Sequence, residues 1–332
     1  MTGSPEIHDL AKYKDFHIHH VTYKVISGHP LDLSILVPKS LVKRGKLSEK
    51  SPLITEFHGG FLVGGHRIFS PWFSDWLVEL TLSRNAIVVT PDYRLLPEAN
   101  GHDILSDLAS FWEWLPKNLG LKLAEYYPEI NLQPDFDRIL ATGSSAGGWM
   151  VSQSMFLHPE INIKAAIMSY PMIDLRDRYW NEKFEKPIFG LPNIPFTIVE
   201  EHLKNSPPNA IVAVDGDIEE KSELKRLPLA ISMVQNGKYI DFFGRETELF
   251  PFENLAKAER VPPFVWVFHG KQDSAVPISG SKKFVAELRR LRPDVLVRFD
   301  AKDGDHGFED DDKVTISEGW VKEGVDQLSE YW

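Results

Sequence analysis

The chain has no cysteine, which removes disulfides, thiolate metal sites and a cysteine nucleophile and leaves the compartment undecided. It also lacks any apolar run approaching the roughly 18 residues a membrane-spanning helix needs. Its opening segment, "MTGSPEIHDLAKYKDF", has no apolar stretch of the secretory kind. Positive charge is scarce: 37 Lys and Arg stand against 48 Asp and Glu, for a formal net charge of -11. Nucleic acids and anionic membranes attract basic surfaces, so neither is an expected partner. The one short basic cluster, Lys39 to Lys46, reads as a solvated loop. The expectation is a soluble, cytoplasmic protein that acts on a small molecule, with its oligomeric state open to a homodimer.

With 332 residues the chain can bury a large core. Eight short β-rich runs recur along it: residues 17–25, 31–38, 53–59, 85–93, 138–143, 164–171, 264–270 and 295–301. The last six are apolar and mostly unalternating, as strands covered on both faces should be. The first two lie close together around "SGHP" and suit an edge hairpin. Between later strands, Ile104, Leu105, Leu108, Phe111, Trp112 and Leu115 fall at helical spacing, as do Val321, Val325, Leu328 and Trp332. This alternation predicts an α/β fold with a mostly parallel sheet flanked by helices.

Residues 175–257 break the rhythm, with several prolines and the aromatics Tyr179, Trp180, Phe184, Phe189 and Phe196. A structureless loop of that length is improbable, so a mainly helical insertion is expected, ending in a helix interrupted at Pro228. The catalytic core is then residues 1–174 and 258–332, and residues 1–15 are candidates to join the insertion.

"RILATGSSAGGWM" runs from an apolar strand into a glycine-rich turn. Gly143-Ser144-Ser145-Ala146-Gly147 fits G-x-S-x-G only when centred on Ser145, since Ser144 would need glycines where Thr142 and Ala146 stand. A serine on a sharp strand-to-helix turn is exposed for attack, and the following helix favours developing negative charge. Its partners are expected in the order acid, then base. Asp273 follows one later strand and His306 the next, which puts all three at the carboxyl rim of the sheet. Asp303 and Asp305 read as shaping the His306 loop, and His269 as a locally bonded strand-end histidine. "EFHGGFLVGG" follows the third strand, where glycines let backbone N–H groups approach an oxyanion. Gly59, Gly60 and Ala146 are the candidate donors, and His58 is read as holding the loop in shape.

Together "HGG", "PDYRLLPEA", "GSSAGG", "HGKQD" and "DHGF" resemble, in order and spacing, the hormone-sensitive-lipase-like branch of the α/β-hydrolases, from about Ser51 to the end. The resemblance implies an eight-stranded α/β-hydrolase sheet with a cap over the site, esterase activity and no cofactor. Matched by motif, the nucleophile falls on Ser145, the acid on Asp273, the base on His306 and the oxyanion glycines on Gly59 and Gly60. The structural "DYRL…PE" segment falls on Asp92, Tyr93, Arg94, Leu95, Pro97 and Glu98. Two features depart from the family. Phe61 follows Gly60 where a longer glycine run is usual, and Ser144 stands where an acidic residue is common.

"DFHIHH" resembles the D-x-H-x-H start of a metal-dependent amidohydrolase, and His17 and His19 would share a strand face. An exposed edge strand is the plainer reading, and no metal is expected. A non-catalytic small-molecule receptor on the same fold would not need Ser145, Asp273 and His306 together. Phe61 and Trp149 flank the site and suggest an apolar or aromatic ester as substrate. Amide, formamide, lactone and thioester cleavage by the same triad are the enzymatic alternatives.

Overall fold

The β-rich runs obey the two-residue period of a strand, but both faces are apolar. In β3 (Ser51–Phe57), Leu53 and Phe57 enter one hydrophobic layer and Ile54 the other. In β7 (Phe264–Gly270), Phe264, Trp266 and Phe268 share one layer, and Val265 and Val267 the opposite one. Near-continuous apolar runs are what a sheet buried on both sides requires.

The computed structural model describes residues 10–218, 223–311 and 314–332. Its single eight-stranded sheet has the order β1-β2-β4-β3-β5-β6-β7-β8. β1 (Phe16–Ile26) and β2 (His29–Pro38) form the antiparallel edge hairpin, and β2 also runs antiparallel to β4 (Ile87–Pro91). From β4 through β3, β5 (Pro134–Ser144), β6 (Ile163–Ser169), β7 and β8 (Leu296–Lys302), all pairings are parallel. The carboxyl ends of these strands therefore share one rim.

Among the described residues, four α-helices precede the long β6–β7 connection: α1 (Lys39–Lys43), α2 (Asp75–Arg84), α3 (Gly101–Tyr126) and α4 (Ala146–Leu157). Within it lie α5 (Arg178–Asn181), α6 (Thr197–Asn205), α7 (Leu227–Gln235), α8 (Tyr239–Phe243) and α9 (Pro251–Lys257). After it come α10 (Ile278–Leu291), α11 (Phe308–Asp311) and α12 (Gly319–Leu328). Trp76 and Leu80 of α2 and Val321, Val325 and Leu328 of α12 fill one layer. Phe111 and Trp112 of α3, Trp149 of α4 and Phe284 of α10 fill the other. Among the described residues, no helix is long and apolar enough to cross a membrane.

Several local expectations change. The basic cluster expected as a loop starts as helix α1, which buries Leu41. α3 continues through Pro116 and buries Leu119 and Leu123. α7 is not interrupted at Pro228 but begins there: proline in a first turn costs no helical hydrogen bond, because that N–H would be unpaired anyway. Residues 221 and 222 of the expected helix lie outside the described residues. Residues 10–13 form a short turn whose Tyr13 packs edge-on against Phe73, while Lys12 pairs with Asp75 at 3.1 Å. Residues 1–9 lie outside the described residues.

Candidate active site

β5 ends at Ser144 and α4 begins at Ala146, so the turn between them is Ser145 alone, at φ 54° and ψ -115°. A residue with a side chain keeps such a conformation only where its surroundings over-determine it. Here the Ser145 N–H donates to Ser169 O at 2.9 Å, and its carbonyl accepts from Gly148 N at 3.0 Å and Met172 N at 2.8 Å. The glycines of the motif are demanded by contact. A Cβ on Gly147 would stand 1.9 Å from Phe57 O, and one on Gly143 2.5 Å from Gly147 O. Ser145 Oγ is buried and has no hydrogen-bond partner among the described residues.

The loop after β3 lies against this turn. A Cβ on Gly59 would be 3.4 Å from the Ser145 Cβ, and Gly60 takes φ +98°. The amides of Gly59 and Gly60 lie outside helix and strand and donate to no acceptor among the described residues. Ala146 opens α4, so its N–H has no carbonyl one turn back to bond. His58 is buried, stacked on Tyr93 with ring centroids 4.3 Å apart, and its Nδ1 donates to Gly59 O at 2.9 Å. Burial lowers its pKa to about 4, so the ring is neutral in the fold.

The "PDYRLLPEA" segment ties this loop to the insertion. The Tyr93 hydroxyl donates to His58 O at 2.8 Å, and buried Asp92 accepts from the Arg67 backbone N–H and guanidinium. Burial raises the Asp92 pKa to about 6 despite the arginine beside it. Glu98 pairs with Arg226 and His202 of the insertion, and Arg226 also donates to Val63 O and Leu96 O.

The acid and base come from neighbouring parallel strands. After β7, the fully buried Asp273 carboxylate accepts from Ala275 N and Val276 N through Oδ1, at 2.9 and 2.7 Å. Its Oδ2 lies 2.8 Å from His306 Nδ1 and 3.0 Å from His269 Nε2. Burial pushes this carboxyl up, but the two histidines outweigh it and hold the group well below the ordinary carboxylate range. With Nδ1 donating to Asp273, His306 leaves Nε2 as an acceptor, the tautomer a base requires. His269 bonds locally, as its place at the strand end suggested: its Nε2 faces Asp273 and Val276 O, and its Nδ1 meets Ser281 Oγ, so one of its local partners is the acid itself. Asp305 accepts from the N–H groups of Ser274 and His306, while Asp303 pairs with Lys271 at the surface.

One residue of this rim has no forewarning in the motifs. Tyr170, just past β6, is buried at φ 37°, and its ring centroid lies 4.4 Å from that of His306. Its neighbour Ser169 bonds Ser145, as does Met172, so a single strained turn touches both nucleophile and base. The only available signal was its place at a strand's carboxyl end, before Pro171.

Phe61 and Trp149 are both buried. Phe61, at φ 58°, meets Trp180 edge-on, and its carbonyl accepts from the Tyr239 hydroxyl at 2.6 Å. Trp149 donates from Nε1 to Leu249 O at 2.9 Å and packs edge-on against Phe243, which fastens α4 to the insertion. His19 of the "HIHH" strand stacks on Tyr126 and lies 2.7 Å from the Tyr127 hydroxyl. Among the described residues, no group of three or more His, Asp or Glu is arranged to hold a metal ion.

A family model described as the alpha/beta hydrolase fold matches residues 54–204. The probable carboxylesterase M8 of Phoma sp. is 36% identical over 318 residues, covering 93% of this chain and 94% of that protein. The probable carboxylesterase clz11 of Cochliobolus lunatus is 34% identical, over 58% of this chain and 86% of that one. A solved structure of an alpha/beta hydrolase superfamily protein from Enterococcus faecalis superposes with TM-score 0.62 at 16% identity, covering 95% of this chain and 98% of that chain. The chain belongs to the α/β-hydrolase family. Within it, these relatives put the chain in the hormone-sensitive-lipase-like branch of esterases and lipases, among the carboxylesterases.

Proposed function

We propose that this carboxylesterase cleaves esters of small, apolar or aromatic substrates through an acyl-enzyme on Ser145. His306, oriented by Asp273, takes the Ser145 proton as Oγ attacks the carbonyl. The amides of Gly59, Gly60 and Ala146 hold the oxyanion, and His306 then protonates the leaving alcohol. A water, deprotonated by His306, releases the acid and restores the serine. Phe61 and Trp149, with Trp180 and Phe243 against them, give the acyl side an apolar character. The insertion serves as a cap.

One observation carries this reading: an uncommitted, buried Ser145 Oγ on a strained one-residue turn shares a rim with a 2.8 Å Asp273–His306 pair. Electrostatic stabilisation at the unpaired amides supplies the largest single gain in reactions of this type. A panel of p-nitrophenyl esters of increasing acyl length, run beside aryl-amides, lactones and thioesters, tests the substrate class. The expected result is ester turnover favouring short apolar acyl groups and absent from Ser145→Ala. Preference for amides, or turnover that survives Ser145→Ala, would overturn the proposal.

A further inference from the structure

Among the exposed apolar side chains, Phe189 is set apart by its neighbour. It sits in a short turn of the insertion, Ile188–Gly190, keeps 40% of its surface exposed, and lies edge-on to His306 with ring centroids 6.0 Å apart. Its backbone is left-handed, at φ 53° and ψ 29°, a conformation that bulky residues seldom adopt.

A clasp of side chains keeps it there. The Phe189 N–H donates to Ser274 Oγ at 3.0 Å, and that hydroxyl donates to Asp305 Oδ2 at 3.0 Å. The Ser274 N–H donates to Asp305 Oδ1 at 2.6 Å, and the Ser274 carbonyl accepts from the Tyr179 hydroxyl at 2.8 Å. Ser274 follows the acid and Asp305 precedes the base. The turn bearing Phe189 is therefore pinned to the two loops that carry Asp273 and His306.

The chemistry of the base decides which part of a substrate meets this ring. The imidazole that accepts the serine proton delivers it to the leaving oxygen, which must come within about 3 Å of that nitrogen. The carbons attached to that oxygen then pass beside His306, where Phe189 stands. The acyl chain departs from the carbonyl carbon along a different bond.

We infer that Phe189 is the specificity contact for the leaving alcohol and favours an aromatic or arylalkyl alcohol over a small one. Its half-exposed ring has apolar area to lose to a second ring and an edge and face suited to it. This inference rests on the Ser145–His306 reading above. The pair of substrates that isolates it is benzyl acetate and ethyl acetate, which share an acyl group and have unactivated alcohols.

Phe189→Ala is expected to lower kcat/KM for benzyl acetate about tenfold, mainly through KM, and to change ethyl acetate by less than about twofold. Phe189→Leu, which keeps apolar bulk, should fall between. A series of ethyl esters of increasing acyl length should keep its wild-type order in both variants. If Ser145→Ala is inert and the benzyl-to-ethyl ratio stays unchanged in both Phe189 variants, the inference fails while the triad stands. Equal losses on the two acetates would also overturn it, because they would mark a general disturbance of the base. Turnover retained in Ser145→Ala would overturn the reading and the inference together.

Discussion

Around Ser145 the contacts run between main chains: its own N–H and carbonyl bond Ser169, Gly148 and Met172, and Gly143 and Gly147 leave no room for a Cβ. Around His306 they run through side chains: Asp273, His269, Ser274 and Asp305 link two loops by carboxylate, imidazole and hydroxyl bonds. The nucleophile side is thus a steric construction that any added atom should break. The base side is a network whose members can be removed one at a time, with graded cost. The amides proposed to hold the oxyanion are also beyond the reach of side-chain substitution except through the backbone's shape.

The largest effect is expected from Gly147→Ala, whose new Cβ would collide with Phe57 O. Ester turnover should fall below detection and the melting temperature should drop by several degrees. A variant with near-normal turnover and melting would show that the turn is not sterically fixed. On the base side, Asp273→Asn should keep the fold, since an amide oxygen can still accept from Ala275 and Val276, yet lower kcat by about 10³–10⁴. Steady-state kinetics beside circular dichroism separates the two effects.

Acid should weaken the nucleophile side through His58. Its folded pKa is lowered to about 4, whereas an unfolded histidine takes up a proton near 6.5. At this residue the unfolded chain therefore binds more of the proton in that window, and His58's share of the stability falls as pH drops from about 6.5 toward 4. The loss from pH 7 to pH 5 should be about 2 kcal/mol. Buried Asp92, its pKa raised to about 6, and Glu56, raised to about 8, gain stability as pH falls over the same range. The His58 share should therefore appear in urea unfolding as the difference between the wild type and His58→Gln at the two pH values. Asp273 behaves differently: its depressed pKa keeps the Asp273–His306 pair's contribution in place above the ordinary carboxylate range and lost only as pH falls below it. The smallest expected change is Ser274→Ala, which removes one of several clasp bonds. It should lower kcat/KM less than about tenfold, consistent with one hydrogen bond of about 1 kcal/mol.

Much of the architecture was legible because its causes are local. Period-two apolar runs separated by helix-length segments describe strands covered on both faces, and the parallel order follows. Ser145 could be distinguished from Ser144 because Gly143 and Gly147 flank it at equal spacing, although the contact that requires Gly147 is with Phe57 of a distant strand. Tyr170 was not legible, since its role arises when β6 is laid beside β7 and its ring meets a loop from a distant stretch of chain. The bond between His269 and Asp273 needed the buried geometry of the strand end. Phe189 was visible only as one aromatic among several in the insertion. Pro228 misled, because a proline's effect depends on its position in a helix and not on its presence alone: it stands in the first turn of α7, whereas Pro116 lies inside α3 without ending it.

The central claim, that Ser145 is the attacking atom on a turn held by its backbone, is tested most directly by covalent capture. After treatment with a fluorophosphonate, intact mass should show one adduct per chain, and peptide mapping should locate it on Ser145. The adduct should persist in Ser144→Ala and vanish in Ser145→Ala. An adduct on Ser144, or labelling that survives Ser145→Ala, would contradict the account.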